Sequence, residues 1–116
     1  MHEPRTYRLA ARSGRWISFE VHVQETDLFI QAHRNLEKIG RELTIGCRGF
    51  LESYIAGCPE FLHAIEPWQV RGPAPEMVRT MAWAGQMAGV GPMASVAGAV
   101  AEKVGMGLLN FSPEVV

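Results

Sequence analysis

The stretch "WISFEVHVQETDLFIQAH", Trp16 to His33, alternates apolar and polar side chains, breaks at polar residues and resumes as a second apolar run. Ile17, Phe19, Val21 and Val23 fall on one face, and Ser18, Glu20, His22 and Gln24 on the other. That period of two is the signature of a half-buried strand. Glu25-Thr26-Asp27 reads as a turn and "LFIQAH" as the next strand. Upstream, Ser13-Gly14-Arg15 reads as a turn back to a strand near Tyr7–Ala11, so three antiparallel strands in a meander are expected.

Beyond His33 the period changes. Leu36, Ile39, Leu43, Cys47, Phe50 and Tyr54 step by three or four, which predicts the buried stripe of a long helix capped by Asn35. Glu37–Arg41, Lys38–Glu42 and Arg48–Glu52 are charge pairs four apart on its outer face. Gly57-Cys58-Pro59 stops the helix, "PEFLHAI" supplies another turn or two, and "EPWQVRGPAP" connects onward with a short strand expected at Trp68–Arg71. A further helix starts at Pro75, with Met77, Met81, Ala84 and Ala88 on one side and Arg79, Trp83 and Gln86 on another. Gly89-Val90-Gly91 breaks it and Pro92 opens the last helix, where Lys103 suits the final turn and Gly105 and Gly107 can end it. "LLNFSPEVV" reads as the entry into another strand. The fold class is therefore α/β in the α+β sense, an antiparallel sheet packed against a layer of helices.

Composition narrows the function. A length of 116 residues suits one domain over 1–116, and 47% hydrophobic with 20% charged residues is a globular balance. A net charge of -1 gives no pull on nucleic acid or an acidic membrane, so neither partner is expected. Met81 to Ala101 carries no charge, but Gln86, Ser95, Pro92 and its glycines, with no Leu, Ile or Phe, make a poor bilayer span. The opening "MHEPRTYRLAARSGR" lacks a signal-peptide core, and Cys47 and Cys58 lack CxxC spacing. A reduced, cytoplasmic protein is expected.

The turn Gly89-Val90-Gly91-Pro92 into a helix is the main candidate for chemistry. Helix-start N–H groups have no internal partners and carry positive potential, and upstream glycines let a phosphate approach the main chain. Met93, Ala94 and Ser95 supply N–H groups and Ser95 a hydroxyl, although no GxGxxG or GxxxxGK[ST] pattern is present. The competing reading is a sharp helix–helix corner. Ala94, Ala97, Gly98, Ala101 and Gly105 form a small face spaced for close packing, and Met77, Met81, Met87 and Met93 read as adaptable core or the floor of a pocket. His22 with Glu20, and His33, could move protons or bind metal, yet no pair has metal-ligand spacing. His63 lies apart from them. Cys58 has no basic neighbour in sequence to activate it, and no Ser-His-Asp arrangement is defensible.

"YR", "WISFEVHVQETDLFIQA", "LESYIAGCPEFL", "APEMVRTMAWAGQMAGVGPMASVAGAVAEKVG" and "SPEVV" together resemble, in that order, an uncharacterised prokaryotic family (UPF family 0280) distantly related to the ApbE-like flavin transferases. The resemblance covers about Tyr7 to Val116. It implies an ApbE-like fold related to the tunnelling fold, and a group of enzymes that bind FAD and, with magnesium, transfer FMN to a threonine of another protein. Their "GxIAKG" helix start lies against the flavin nucleotide and helps form the metal site. Gly98, Ala99, Val100, Ala101, Glu102 and Lys103 match it, with Glu102 in place of the lysine and Lys103 in place of the glycine. The resemblance also implies the N-terminal half of a longer protein, with a "NGGD"-like segment and further acidic ligands to follow, or a partner or second copy completing the sheet.

Two functional expectations follow. In the first, a flavin (FAD or FMN) or a related phosphate-bearing, nucleotide-like ring is held by Gly89, Gly91, Met93, Ala94, Ser95 and Gly98, and Glu102 assists a metal or a proton transfer. In the second, the domain is non-catalytic and Ala94, Gly98, Ala101 and Gly105 form a homo-oligomer interface.

Overall fold

The computed structural model describes residues 16–116, so the strand expected at Tyr7–Ala11 and the turn at 13–15 lie outside the described residues. The elements in chain order are β1 (Ile17–Val23), β2 (Thr26–Ala32), α1 (Glu37–Gly57), α2 (Glu60–His63), α3 (Glu76–Ala88), a 3₁₀ turn (Pro92–Ser95) and α4 (Val96–Leu108). The fold is mixed α/β with an antiparallel sheet, as the sequence predicts. Its described residues form two compact units, 16–44 with 104–116 and 45–103, whose boundaries fall inside α1 and α4. Among the described residues no helix is long and apolar enough to cross a membrane.

In the first unit β1 pairs antiparallel with β2 from Ile17↔Ala32 to Val23↔Thr26. The turn is thus Gln24-Glu25, not Glu25-Thr26-Asp27. Thr26 and Asp27 are polar, but they sit opposite Val23 and His22 and continue the ladder. The two-residue connection is tight enough to hold Gln24 at φ 52 in the left-handed region. Phe19, Val21 and Val23 are buried as predicted, while Ile17 at the strand end stays 43% exposed. Across from them Ile30 and Ala32 are buried too.

The sheet meets α1 at Gly40, where a Cβ would stand 3.1 Å from the Val21 side chain and 3.9 Å from those of Phe19 and Leu108. This close approach rotates the buried stripe of α1 from the predicted phase. Leu36, Gly40, Thr44 and Leu51 are buried, Leu43, Cys47 and Tyr54 are half-buried, and Phe50 is 65% exposed. Thr44 is buried without loss because its Oγ1 donates to the Gly40 carbonyl at 2.8 Å. Asn35 caps as expected, its Oδ1 accepting from the Glu37 N–H at 2.9 Å. Of the expected charge pairs, Arg48–Glu52 forms at 3.1 Å, whereas the Arg41 guanidinium donates to the His22 carbonyl at 2.7 Å.

The C-terminal segment closes onto this unit. Val115 bridges Ala32, the Gln31 and Val116 N–H groups donate to each other's carbonyls at 2.9 and 2.8 Å, and Arg34 Nε donates to the Phe111 carbonyl at 2.9 Å. "LLNFSPEVV" therefore reaches the sheet edge as a single antiparallel bridge and not as a strand. Gly105 and Gly107 do not end α4, which runs through them to Leu108. Gly107 is there for space, since a Cβ would come within 2.8 Å of Leu43.

In the second unit Phe61 is fully buried between the edges of Tyr54 and Trp68, with ring centroids 5.1 and 5.5 Å away. Met77, Val78, Met81 and Ala82 bury one side of α3, so Met77 and Met81 are core as expected, Met93 is half-buried and Met87 is 71% exposed. The Cys47 thiol donates to Met77 Sδ at 3.4 Å, and burial pushes its pKa up, away from reactivity. Trp68–Arg71 is coil instead of a strand, anchored by Trp68 Nε1 donating to the Tyr54 hydroxyl and by Gln86 Nε2 donating to the Trp68 carbonyl, each at 3.2 Å.

Because Gln24 bears a side chain in a left-handed turn, Gln24→Gly relieves a conformational cost and is expected to stabilise the protein by about 0.5–1 kcal/mol. A urea midpoint that falls in the variant contradicts this reading of the hairpin.

Candidate functional site

The glycine corner is built from the end of α3. Gly89 takes φ 73 and its N–H donates to the Gly85 carbonyl, the left-handed stop that only glycine adopts without cost. The Val90 N–H also donates to Gly85, at 2.9 Å. Gly85 is buried there, since a Cβ would stand 2.6 Å from the Val90 carbonyl oxygen. Gly91 is buried and extended, and a Cβ on it would land on the Ala64 carbonyl beyond α2. Main chain meets main chain at this point. Pro92 is buried behind it and opens a 3₁₀ turn, so the α-helix proper begins at Val96 and not at Pro92.

The turn occupies several of the groups expected to face a ligand. The Ala94 N–H donates to the Gly91 carbonyl at 3.4 Å, the Val96 N–H to Met93, and the Ser95 hydroxyl to the Pro92 carbonyl at 3.3 Å. Met93 and Ser95 are half-buried and Gly89 is exposed. Ala94, Gly98 and Glu102, spaced by four, are brought together on one open face. Among the described residues nothing lies within 4 Å of a Cβ added at Gly98.

The small face is therefore not the packed one. Ala94, Ala97, Gly98 and Ala101 are exposed and Gly105 is half-buried, whereas Ala99, Val100, Val104 and Leu108 are buried on the other side of α4. Lys103 does not serve the helix end. Its Nζ donates to Glu76 Oε1 at 2.7 Å, and that hydrogen bond holds the Glu76 carboxyl below its ordinary value. The lysine charge is thereby committed to α3, leaving Glu102 as the carboxylate on the open face.

The histidines form a different cluster. His22 Nδ1 lies 2.8 Å from Asp27 Oδ1 and Nε2 lies 2.9 Å from Glu20 Oε1, a geometry that suits a ring protonated on both nitrogens. The Asp27 hydrogen bond, followed by that to Glu20, raises the His22 pKa above 6.5. Across the unit His33 Nε2 meets Glu114 Oε1 at 2.9 Å, and the His33 backbone N–H donates to the Ser112 hydroxyl at 3.0 Å, tying β2 to the C-terminal segment. Among the described residues no three His, Cys, Asp or Glu side chains converge to hold a metal ion.

Sequence reasoning did not find two surface grooves of about 670 Å³ each. One runs past Glu60, His63, Ile65 and Trp68, and the other past Tyr54, Cys58, Trp68, Arg71 and Gln86. Trp68 belongs to both. Arg71 thus reaches the groove that holds Cys58, although it is thirteen positions away along the chain. The coil from Ala64 to Arg71 is shared between them, facing Glu60 and His63 of α2 in one and Tyr54 of α1 and Gln86 of α3 in the other, and only the isolated Trp68 marks that coil in sequence.

A family model described as AbpE bacteria matches residues 8–116. The chain is 42% identical over 88 residues to a UPF0280 protein of Methanocaldococcus jannaschii, an alignment covering 75% of this chain and 36% of the relative. It is 38% identical over 94 residues to a UPF0280 protein of Methanococcus vannielii, covering 80% and 38%. With a UPF0280 protein of Methanopyrus kandleri it shares 37% over 87 residues, covering 73% and 36%. The chain spans little more than a third of the length of these curated relatives.

Gly91→Ala is expected to cost about 3 kcal/mol, because a backbone carbonyl cannot rotate away from the new methyl. Gly98→Ala, in open helix, should be neutral or stabilise by up to about 1 kcal/mol. Equal urea midpoints for the two variants would remove the corner. Since the folded pKa of His22 is raised, its contribution to stability is fully present below 6.5 and is lost as pH rises through the folded value. An imidazole NMR titration should place His22 above 6.5, and His22→Gln should flatten that part of the stability profile. Titration of His22 below 6.5 contradicts the cluster.

Proposed function

We propose, from the premise that this chain belongs to the family described as AbpE bacteria, that it acts as a cofactor-handling protein of the ApbE-like group. In this reading a flavin or a related phosphate-bearing ring lies against the open face of the 3₁₀ turn and α4. The observation that carries the reading is the shared face of Ala94, Gly98 and Glu102, bare of covering side chains at Gly98. A flat ring can approach a backbone there as it cannot approach one screened by larger side chains. Ala94 and Gly98 admit the ring, half-buried Met93 adapts to its edge, and Ser95 can turn its hydroxyl from the Pro92 carbonyl toward a phosphate. Gly89 leaves the approach to the corner uncovered. Gly91 contributes by position, fixing the turn against Ala64.

Glu102 is the group placed to take or give a proton. Flavin-nucleotidyl transfer is the activity toward which the resemblance points, and a bound FAD would supply the phosphoanhydride for it. The described residues do not by themselves fit a magnesium site, because no three His, Cys, Asp or Glu side chains converge among them. The free thiols of Cys47 and Cys58 accord with a cytoplasmic setting.

A second reading uses the same face. Ala94, Ala97, Gly98 and Ala101 are exposed, which favours a close helix–helix contact with a second copy. Flavin fluorescence during titration with FAD and FMN, with and without magnesium, separates the two when combined with sedimentation of Gly98→Leu. The ligand reading expects saturable quenching that Gly98→Leu weakens at least tenfold, with mass unchanged. No binding at high micromolar flavin contradicts it, and a loss of mass in Gly98→Leu supports the assembly reading.

A further inference from the structure

The Gln31–Val116 contact is a complete antiparallel pair, with N–H to carbonyl bonds of 2.9 and 2.8 Å in the two directions. It lies on the edge of β2 opposite β1. Successive residues of a strand present their backbone groups to alternate edges, so Gln31, Phe29 and Asp27 point outward while Ala32, Ile30, Leu28 and Thr26 face β1. The two-residue turn closed by Val23↔Thr26 requires the same alternation. Phe29 therefore offers an N–H and a carbonyl to the edge where Val116 already pairs. Its side chain, on the face shared with Glu20, is 65% exposed. Among the described residues nothing pairs with β2 on that edge before Gln31.

We infer that the outer edge of β2 at Phe29 is the docking place of a further strand, supplied by the polypeptide that follows the position of Val116 in the longer proteins of the family. Two observations name this occupant. The register is already set by Val115 and Val116, which run antiparallel to β2 and head along the open edge. The relatives also have the chain to supply it, since this sequence spans only 36–38% of two of them. Counting on from Gln31↔Val116, the first following residue stands opposite Ile30 and the second forms a hydrogen-bonded pair with Phe29. A hairpin alone is a marginal structure in water, and a third strand covers its remaining edge.

The test uses the full-length relative from Methanocaldococcus jannaschii, labelled for NMR. The amide aligned with Phe29 should exchange about 100-fold or more slower than in an unstructured peptide. An Hα–Hα contact should join the residue aligned with Ile30 to the first residue after the position of Val116. Free exchange at the Phe29 position overturns the inference. So does protection that comes with contacts to N-terminal residues, or that disappears on dilution, because the occupant is then a different segment or a second copy.

Discussion

The contact of Gly91 with the Ala64 carbonyl is the constraint on which the second unit turns. Two backbones pass so closely that no side chain fits between them. That approach places Pro92 in the interior, where its fixed φ starts a 3₁₀ turn, and the turn sets the rotational phase of α4. With that phase Ala99 and Val100 point inward, and Ala94, Gly98 and Glu102 point out. A helix entered one residue earlier or later would rotate by about 100° and bury a different set. The open face is thus a consequence of the corner.

The first unit is held by a different logic. A hairpin is too small to be stable alone, and here its buried face is covered at Gly40, where the missing side chain lets α1 settle on Val21 and Phe19. Its far edge begins to be covered by the C-terminal segment. Gln31, Ala32, His33 and Arg34 each contact residues between Phe111 and Val116. Residues far apart in sequence therefore stabilise one another, and neither strand pair nor terminal segment is expected to order independently.

Much of this was legible in the sequence. Alternation from Ile17 to Val23 gave the buried face, Asn35 the cap, Gly57 the end of α1, and the break at Gly89–Gly91 the corner. Errors arose where apolar counting misjudged small or polar residues. Gly40 and Thr44 occupy the buried face of α1 because the sheet comes close, and Thr44 can bond its own helix, so Phe50, which apolar spacing places inward, faces out. Thr26 and Asp27 looked like a turn because polarity marks turns and solvent-facing strand residues alike. The small stripe of α4 has the spacing of a packing face, yet among the described residues nothing comes within 4 Å of a Cβ placed at Gly98. For the candidate site, sequence named the residues but could not separate Gly91, which meets backbone, from Gly98, which is open. The grooves beside Trp68 depend on coil conformation that no period encodes.

In the proposed reading the corner is structural and the open face beyond it holds the ligand. Amide chemical-shift mapping during titration with FAD tests this most directly. Perturbations are expected to concentrate at Ala94, Gly98 and Glu102, with the amides lining the grooves at Cys58, Trp68 and Arg71 unmoved. Perturbations confined to those grooves, or none along residues 94–102, would contradict it.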